Sequence, residues 1–364
     1  MDGTDRLDFL DREISRVLRT MTGALLCLAY LACRGADHPE AQFSGTTAEL
    51  RGLTAASEAV VWAAGRNGSY ARTTDGGATW QADTVPGASE LFFIDVHAVD
   101  ANTAYLLGTH FDGGHARIYK TTDGGAHWSL QYSDSAPGVF FDGMAFWDAD
   151  HGVAFSDPVD GSFLIVRTDD GGATWRRVPA ENIPPPLSGE AGFAASGTAM
   201  AVWGTDHVWF GTGGGAVARV FRSGDRGRSW AVAETPLPAD ASSGIFGIAF
   251  RDSLNGVAVG GDYTERDEPS DNVIRTRDGG LTWEIAGGSL PAGVRYAVTY
   301  VPGTGRPTLV ASGPSGWGYS GDEGTTWVVL EDSLGYNTVS AAYGGMVWAA
   351  GTEGRVAAVT LQPH

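Results

Sequence analysis

The sequence predicts an all-β protein built from repeats of one four-stranded unit, and three observations lead to this prediction. Glycine supplies 53 of the 364 residues, about twice its average usage, and 12 residues are tryptophan. An octapeptide recurs six times, and a short strand-like run that ends in a small residue recurs seven times. Short strands divided by glycine-containing turns at even spacing are typical of closed β architectures.

Composition and charge exclude several classes of protein and of partner. A glycine-rich chain without a Gly-X-Y period is not collagen, and 43% apolar residues are too many for a disordered chain. The formal net charge of −19 argues against nucleic acid and anionic membrane surfaces as partners. The two cysteines are Cys27 and Cys33, so residues 34–364 offer no cysteine for a disulfide, a zinc site or a nucleophile.

The first 33 residues are expected to form a signal peptide. Arg16 and Arg19 precede an apolar run of 12 residues, MTGALLCLAYLA, which is too short for a permanent membrane-spanning helix. The run ends in Tyr-Leu-Ala-Cys and resembles a bacterial lipobox, with Tyr30 where leucine is usual. We therefore expect lipidation at Cys33, with a plain secretory signal or an uncleaved anchor as alternatives. In each case the protein would be exported to the periplasm or the outer surface, and residues 34–46 would form a tether and a closing strand.

The octapeptide is the strongest signal in the chain. Its pattern is Ser/Thr-x-Asp-x-Gly-x-Thr/Ser-Trp, with His127 as the one departure at the seventh position. Aspartate followed by glycine predicts a hairpin turn whose carboxylate accepts backbone N–H groups, and each tryptophan is expected to bury its ring between neighbouring repeats. Each aspartate belongs to a separate repeat, so the set is structural and not a calcium array. The pattern contains Asp75, Asp123, Asp170, Asp225, Asp278 and Asp322, and Trp80, Trp128, Trp175, Trp230, Trp283 and Trp327.

The number of repeats is seven, one more than the number of octapeptides. Each repeat holds four strand-like runs in about 48 residues, which is the blade unit of a propeller. The seventh repeat ends without an octapeptide or a fourth strand, and the segment Ala41–Ser44 is available to complete it. The sequence therefore predicts a seven-bladed β-propeller with four-stranded blades over residues 47–364, closed by the N-terminal segment.

The octapeptides are similar to Asp-box, or BNR, repeats, which belong to the wider WD40/YVTN/BNR-like group of propellers. The whole of residues 45–364 resembles the seven-bladed propellers of the photosystem II assembly and stability factor family. Sortilin ectodomains, bacterial sialidases and xyloglucanases are more distant cousins. The resemblance implies a non-catalytic bacterial scaffold, a monomer without a cofactor, that binds a protein or polysaccharide partner at the cell envelope. Members of that family carry basic residues on one face, whereas this chain is strongly acidic.

A partner is expected at the face formed by the loops between the second and third strands and the loops between blades. The most unusual loops of this face are residues 156–161, 184–190, 211–215 and 260–269. The residues expected to contact a partner there are Asp157, Glu190, Arg219, Asp262, Tyr263 and Arg295. The acidic loop from Asp262 to Glu268 is expected to be solvated, with calcium binding as the alternative, and no metal site is predicted.

Two enzymatic hypotheses stand beside the scaffold. In the first, a glycoside hydrolase acts in the central funnel, and Glu190 with Asp142 or Asp157 supplies the two carboxyl groups. Its structural alternative is that Glu190 and Arg295 neutralise each other. The Arg-Ile-Pro motif of sialidases is absent, and xyloglucanases use two propellers where this chain has one. In the second, the chain is an oxidoreductase, the label that some relatives carry, but no nucleotide fingerprint or haem motif is present.

Overall fold

The computed structural model describes residues 39–268, 272–286, 293–331 and 334–361. The predicted signal peptide and Cys33 lie outside these ranges. Within them, helix is limited to three short 3-10 turns, and no helix is long and apolar enough to span a bilayer.

The described residues form seven antiparallel sheets of four strands each, which confirms the predicted architecture. Blade 1 contains β2 (Leu50–Ala55), β3 (Val61–Gly65), β4 (Ser69–Thr73) and β5 (Gln81–Thr84), and blade 2 contains β6 (Phe92–Ala98), β7 (Ala104–Thr109), β8 (Ala116–Thr121) and β9 (Ser129–Asp134). Blade 3 contains β10 (Phe141–Phe146), β11 (Gly152–Val159), β12 (Ser162–Thr168) and β13 (Arg176–Arg177). Blade 4 contains β14 (Met200–Trp203), β15 (His207–Gly211), β16 (Arg219–Ser223) and β17 (Ala231–Glu234). Blade 5 contains β18 (Ser243–Phe250), β19 (Gly256–Asp262), β20 (Val273–Thr276) and β21 (Glu284–Ile285). Blade 6 contains β22 (Ala297–Val301), β23 (Thr308–Gly313), β24 (Gly316–Ser320) and β25 (Val328–Glu331). Blade 7 contains β26 (Thr338–Ala341), β27 (Met346–Ala350), β28 (Arg355–Thr360) and the N-terminal strand β1 (Glu40–Phe43).

The blades are arranged as a closed ring. The first strand of each blade packs against the first strand of the next, and β26 of blade 7 packs against β2 of blade 1. Second strands such as β3 and β7 are buried along their whole length, whereas fourth strands such as β5 are largely exposed. The apolar core therefore lies between blades, because both faces of each sheet are covered by a neighbouring sheet.

The N-terminal strand closes the ring, as the sequence predicts. Strand β1 pairs antiparallel with β28, with Glu40 opposite Ala358 and Phe43 opposite Arg355. Beyond the strand, Ser44 donates its hydroxyl to the carbonyl of Gly354 at 2.7 Å. The Gln42 side chain accepts a hydrogen bond from the indole of Trp80 in blade 1 at 2.8 Å. The closing strand thus satisfies the edge of blade 7, which would otherwise be open.

Each octapeptide forms the turn between the third and fourth strands of its blade. In blade 3, Asp170 accepts hydrogen bonds from the Thr168 hydroxyl (2.9 Å) and from the backbone N–H and hydroxyl of Thr174 (2.8 and 2.6 Å). Gly172 adopts φ +85° and donates its N–H to the Thr168 hydroxyl oxygen, a backbone conformation that favours glycine. At the one departure from the pattern, the His127 ring takes the place of the hydroxyl, 2.7 Å from Asp123.

The six octapeptide tryptophans lie at the junctions between blades. Trp230 is buried, and the other five rings are half-buried. Trp128 packs against Trp62 and Tyr70 of the preceding blade, and Trp175 meets Phe146 edge-on at 5.9 Å between ring centres. Most of these rings keep one edge in solvent.

Candidate functional site

The strand order gives the ring two different faces. Because the strands of each blade are antiparallel, the loops between second and third strands emerge at the same end as the loops between blades. We call this end the loop face, and it carries the described parts of the four unusual loops predicted from the sequence. The turns between third and fourth strands emerge at the other end, which we call the octapeptide face.

A segment of the loop entering blade 4 lies in the central channel. This segment, Ala191–Thr198, which we call the channel segment, is hydrogen-bonded to inner parts of several blades. The Gly197 N–H donates to the Arg51 carbonyl of blade 1 (3.1 Å), and the Ser196 hydroxyl donates to the Tyr296 carbonyl next to blade 6 (2.9 Å). The Ile248 N–H of blade 5 donates to the Thr198 carbonyl (2.8 Å). The centre of the ring is therefore occupied by the chain itself, which the sequence analysis did not predict.

The structure corrects the partner expected for Glu190. This carboxylate is buried and forms an ion pair with Arg219, whose Nε lies 2.8 Å from Glu190 Oε1. The hydroxyl of Thr212 and the N–H of Leu187 donate to the same carboxylate at 2.6 and 2.7 Å. The prediction that Glu190 pairs with Asp142 or Asp157 as a catalytic couple is wrong, because a buried carboxylate needs its cation and hydrogen bonds close by, and Arg219 supplies them.

Arg295, the other expected partner of Glu190, lies elsewhere. Its side chain is almost fully buried, and burial lowers its pKa to about 10. Its backbone N–H donates to the carbonyl of Gly260, at the loop of blade 5. The charged groups of Glu190, Arg219 and Arg295 are all buried. These three residues therefore stabilise the loops of the loop face and do not form a contact surface for a partner.

Asp142 and Asp157 do come together, on neighbouring strands of blade 3. Asp142 lies in a bulge of β10, and neither of its carboxylate oxygens has a hydrogen-bond partner among the described residues. Burial raises the pKa of Asp142 well above its usual range, and the charge of Asp157 raises it further. Burial also raises the pKa of Asp157 to about 6, although the Gly192 N–H donates to this carboxylate at 2.8 Å. Each of these two acids therefore disfavours the ionised form of the other.

The channel segment covers this carboxylate pair. A Cβ atom on Gly192 would lie 2.4 Å from Cγ of Asp142, so the backbone of the segment rests directly on the carboxyl group. Only glycine permits this approach. Asp142 is consequently separated from the loop face by the chain itself.

A third buried acid, Asp95, was not singled out by the sequence analysis. It lies on β6 of blade 2, is nearly fully buried, and accepts the Met144 N–H at 3.0 Å. Burial raises the pKa of Asp95 to about 8, despite the N–H groups of Met144 and Val96. The available signal was an aspartate inside the apolar run LFFIDV, on a strand that the repeat pattern already places next to the channel.

Asp262 and Tyr263 lie on the loop face. Asp262 accepts hydrogen bonds from the N–H and hydroxyl of Thr264, both at 2.7 Å, so it organises its own turn. Tyr263 is 40% exposed and packs edge-on against Phe193 of the channel segment. Across the described ranges no three histidine, cysteine or acidic residues are placed to hold a metal ion; Pro269, at the end of this loop, lies outside those ranges.

Arginine and aromatic side chains of blades 1 and 2 form a second surface feature of the loop face. We call Arg51, Arg66, Phe92 and Phe111 the mouth patch. The Arg66 guanidinium lies 4.7 Å from the centre of the Phe92 ring and 4.3 Å from that of Phe111, and Arg51 lies 4.9 Å from Phe92. Phe111 is 50% exposed. Glu49 binds both arginines, with 2.6 Å to Arg66 Nε, so the two guanidinium groups and this carboxylate together carry one net positive charge.

The mouth patch faces the same opening as the aromatic residues around the channel segment. Burial raises the pKa of Tyr296, while Arg266 of blade 5 and Arg51 of blade 1 lower it. Arginines from two sides of the ring therefore act on one tyrosine, since such effects fall off quickly with distance. Sequence analysis missed this grouping because its members are separated by up to 215 residues (51 to 266).

Comparison with known proteins identifies the fold. No protein-family model matches the sequence, and no curated protein matches it. A solved structure of YCF48 bound to D1 peptide is similar in shape, with a TM-score of 0.63 and 16% identity over 89% of this chain and 95% of that chain. YCF48 from Cyanidioschyzon merolae is similar with a TM-score of 0.62 and 17% identity over 88% of this chain and 98% of that one.

The GH74 xyloglucanase from Xanthomonas campestris is also similar, with a TM-score of 0.63 and 17% identity over 89% of this chain. The matched region is 54% of the xyloglucanase chain, so this protein corresponds to about half of it. At these identities the likeness establishes the fold alone: this chain is a seven-bladed β-propeller of the shape found in YCF48 and in part of a GH74 xyloglucanase.

Proposed function

We propose that this protein is an exported, non-catalytic propeller scaffold that binds a segment of a protein partner on its loop face. The observation that carries the proposal is the mouth patch, a positively charged and aromatic surface on a chain with a net charge of −19. The YCF48 structure that contains a D1 peptide supports peptide binding as an activity of which a propeller of this shape is capable.

The chemistry of the patch indicates the kind of segment that would bind. Arg66 keeps 41% of its side chain exposed, and a guanidinium stacked on aromatic rings retains donors for a carboxylate in its plane. Phe111 offers apolar area beside it. A segment with an acidic group next to an apolar side chain satisfies both.

The proposed site can be tested by comparing two variants that differ in which face they alter. Arg66→Glu reverses the charge of the mouth patch, and Arg277→Glu makes the same change at an exposed arginine (58% of the side chain) of an octapeptide turn. An envelope partner captured by the wild type, purified and titrated, should bind Arg277→Glu normally and Arg66→Glu at least about tenfold more weakly. Equal binding by both variants would mean that the mouth patch is not the binding site. The absence of any partner that binds saturably would contradict the scaffold function.

Anchoring at the envelope is the second part of the proposal. Because β1 runs antiparallel to β28, Glu40 lies toward the octapeptide face and Phe43 toward the loop face. A lipid on Cys33 would leave only residues 34–39 before the sheet, a reach of about 20 Å. The octapeptide face would then be held near the membrane and the loop face would point away from it. Cys33→Ala should move the protein from the membrane fraction to the soluble fraction, whereas Cys27→Ala should not.

The carboxylate pair of blade 3 supports one alternative function, glycoside hydrolysis. Asp142 and Asp157 are neighbouring acids with raised pKa values, as the acid and base of a glycosidase often are. The channel segment covers Asp142, so a substrate would reach the pair only if this segment moved. Release of reducing ends from xyloglucan oligosaccharides, lost in Asp157→Asn, would favour the enzyme over the scaffold. Turnover that is absent, or present and unchanged in Asp157→Asn, would count against this alternative.

A further inference from the structure

The third strands of five blades carry a cation at the same register. Each of these residues, which we call the third-strand cations, stands three positions before its octapeptide aspartate, and in blade 6 Tyr319 takes the place. They are Arg72, Lys120, Arg167, Arg222 and Arg275. These cations were not among the residues expected to be functional, although they recur in five of the six blades that carry an octapeptide.

Four of the five third-strand cations bind the next blade. Arg72 donates to the Ala101 carbonyl at 2.6 Å, and Lys120 to the Gly171 carbonyl at 2.7 Å. Arg275 donates to the Thr325 hydroxyl at 3.3 Å, and Arg167 binds the carbonyl of Arg226. These bonds tie successive blades together at the octapeptide face.

Arg222 of blade 4 is the exception. Its Nε is buried and has no hydrogen-bond partner in the part of the chain that the structure describes. In the neighbouring turn, the Gly279 carbonyl of blade 5 accepts the Trp209 indole N–H at 2.9 Å. The equivalent Gly171 carbonyl of blade 3 accepts both the Tyr105 hydroxyl and Lys120 Nζ at 2.7 Å, whereas Arg222 forms no such bond with Gly279. A buried Nε donor without an acceptor is costly, and the rest of the Arg222 side chain is half-buried at the blade junction.

A cavity of about 200 Å³ opens beside Arg222, at the junction of blades 4 and 5 on the octapeptide face. His207 and Ser253 contribute polar groups to its lining, and Leu254, which is 54% exposed, contributes an apolar wall. The one lining carboxylate, Asp278, accepts hydrogen bonds from Thr276 and Thr282, which satisfy its oxygens but leave its negative charge in place.

We propose that this cavity binds a small carboxylate that carries a branched apolar group. The carboxylate oxygens would accept N–H groups of the two terminal guanidinium nitrogens of Arg222, in the planar arrangement that guanidinium and carboxylate groups share. The apolar group would cover Leu254. The site lies on the face opposite the mouth patch, so it is independent of the proposed partner site.

The test uses two carboxylates and their uncharged equivalents. Isobutyrate represents a free small acid, N-acetyl-valine represents the end of a peptide chain, and the corresponding amides serve as controls. Binding is followed through the indole N–H resonance of Trp209 in labelled protein, assigned with Trp209→Phe. We expect a saturable shift with one or both acids and none with the amides. The acid that binds more tightly identifies the source of the ligand.

Variants at equivalent registers then locate the binding. Arg222→Gln should weaken binding by at least about tenfold, and Arg222→Lys, which keeps the charge without the planar fork, should lie between the two. Arg275→Gln, whose guanidinium is already bound to Thr325, should bind like the wild type. A melting temperature of Arg222→Gln close to that of the wild type verifies that it is folded.

Three results would overturn the proposal: no saturable shift with either acid, equal binding by Arg222→Gln and the wild type, or tighter binding of inorganic phosphate than of both acids. The first would leave Arg222 with water as its only acceptor. The third would replace the carboxylate by a phosphate ligand.

Discussion

The substitution Asp95→Asn should make the protein more stable at neutral pH than the wild type. Asp95 is buried on β6 and its pKa is raised to about 8, whereas in the unfolded chain an aspartate titrates near 3.8. The amide oxygen of the Asp95→Asn variant can still accept the Met144 N–H that Asp95 accepts at 3.0 Å. The substitution therefore removes the titration and keeps the hydrogen bond.

The sign and size of the effect follow from linkage between protonation and folding. A group whose pKa is raised in the folded state stabilises that state below its unfolded pKa, and this contribution is lost as the pH rises through the folded pKa. Between about pH 4 and pH 8 the unfolded chain has released the Asp95 proton and the folded chain has kept it. The loss is about 1.4 kcal/mol per pH unit, or about 3 kcal/mol between pH 5 and pH 7.

The assay is urea denaturation followed by tryptophan fluorescence at pH 5, 6, 7 and 8. The difference in unfolding free energy between Asp95→Asn and the wild type should grow with pH in favour of the variant. Asp267→Asn, at an exposed side chain, serves as the control and should give a constant difference. A difference for Asp95→Asn that does not change across this range would refute the reasoning, because it would mean that Asp95 titrates alike in both states.

Three further predictions concern an octapeptide turn, the octapeptide tryptophans and the closing strand β1. Hydrogen bonds from Thr174 and Thr168 hold the pKa of Asp170 below its usual range, so the stability that this group supplies is present above the unfolded pKa and is lost as the pH falls through the lower folded pKa. Asp170→Ala should lower the unfolding free energy by about 1 kcal/mol at pH 7, and the difference from the wild type should shrink as the pH falls, measured by urea denaturation. Trp230→Ala, at a buried ring, should cost about 3–5 kcal/mol, and Trp175→Ala, at a half-buried ring, should cost less; equal costs would contradict the packing described for them. A chain that begins at residue 46 lacks β1 and exposes the edge of β28, so it should melt at a lower temperature and self-associate in size-exclusion chromatography, whereas a chain that begins at residue 39 should remain monomeric.

The propeller architecture was predictable because the sequence patterns that specify it are local and repeated. The octapeptide determines a turn through contacts within a few residues, such as those of Asp170 with Thr168 and Thr174, and six copies make its meaning unambiguous. Closure by Ala41–Ser44 followed from counting strands, since a blade with three strands leaves an edge to be filled. The partners of the buried charges were not predictable in this way. Arg219 finds Glu190 across 29 residues, and nothing in the spacing distinguishes that pair from Glu190 with Asp142.

The largest difference between expectation and structure is the channel segment, and its cause is geometric. Residues 191–198 show neither helical nor strand periodicity, and no local rule states that such a segment enters the channel. Their burial is imposed by the ring, since seven inner strands leave a channel that must be occupied by water or by chain. Glycine at 192 and 197 allows the backbone to pass directly beside Asp142 and Asp95, where a Cβ atom would collide with either carboxylate. A segment that holds two buried acids in place closes the funnel in which catalysis was expected, and it leaves the rim, with Arg66, Phe111 and Tyr263, as the part of the loop face that a partner can reach.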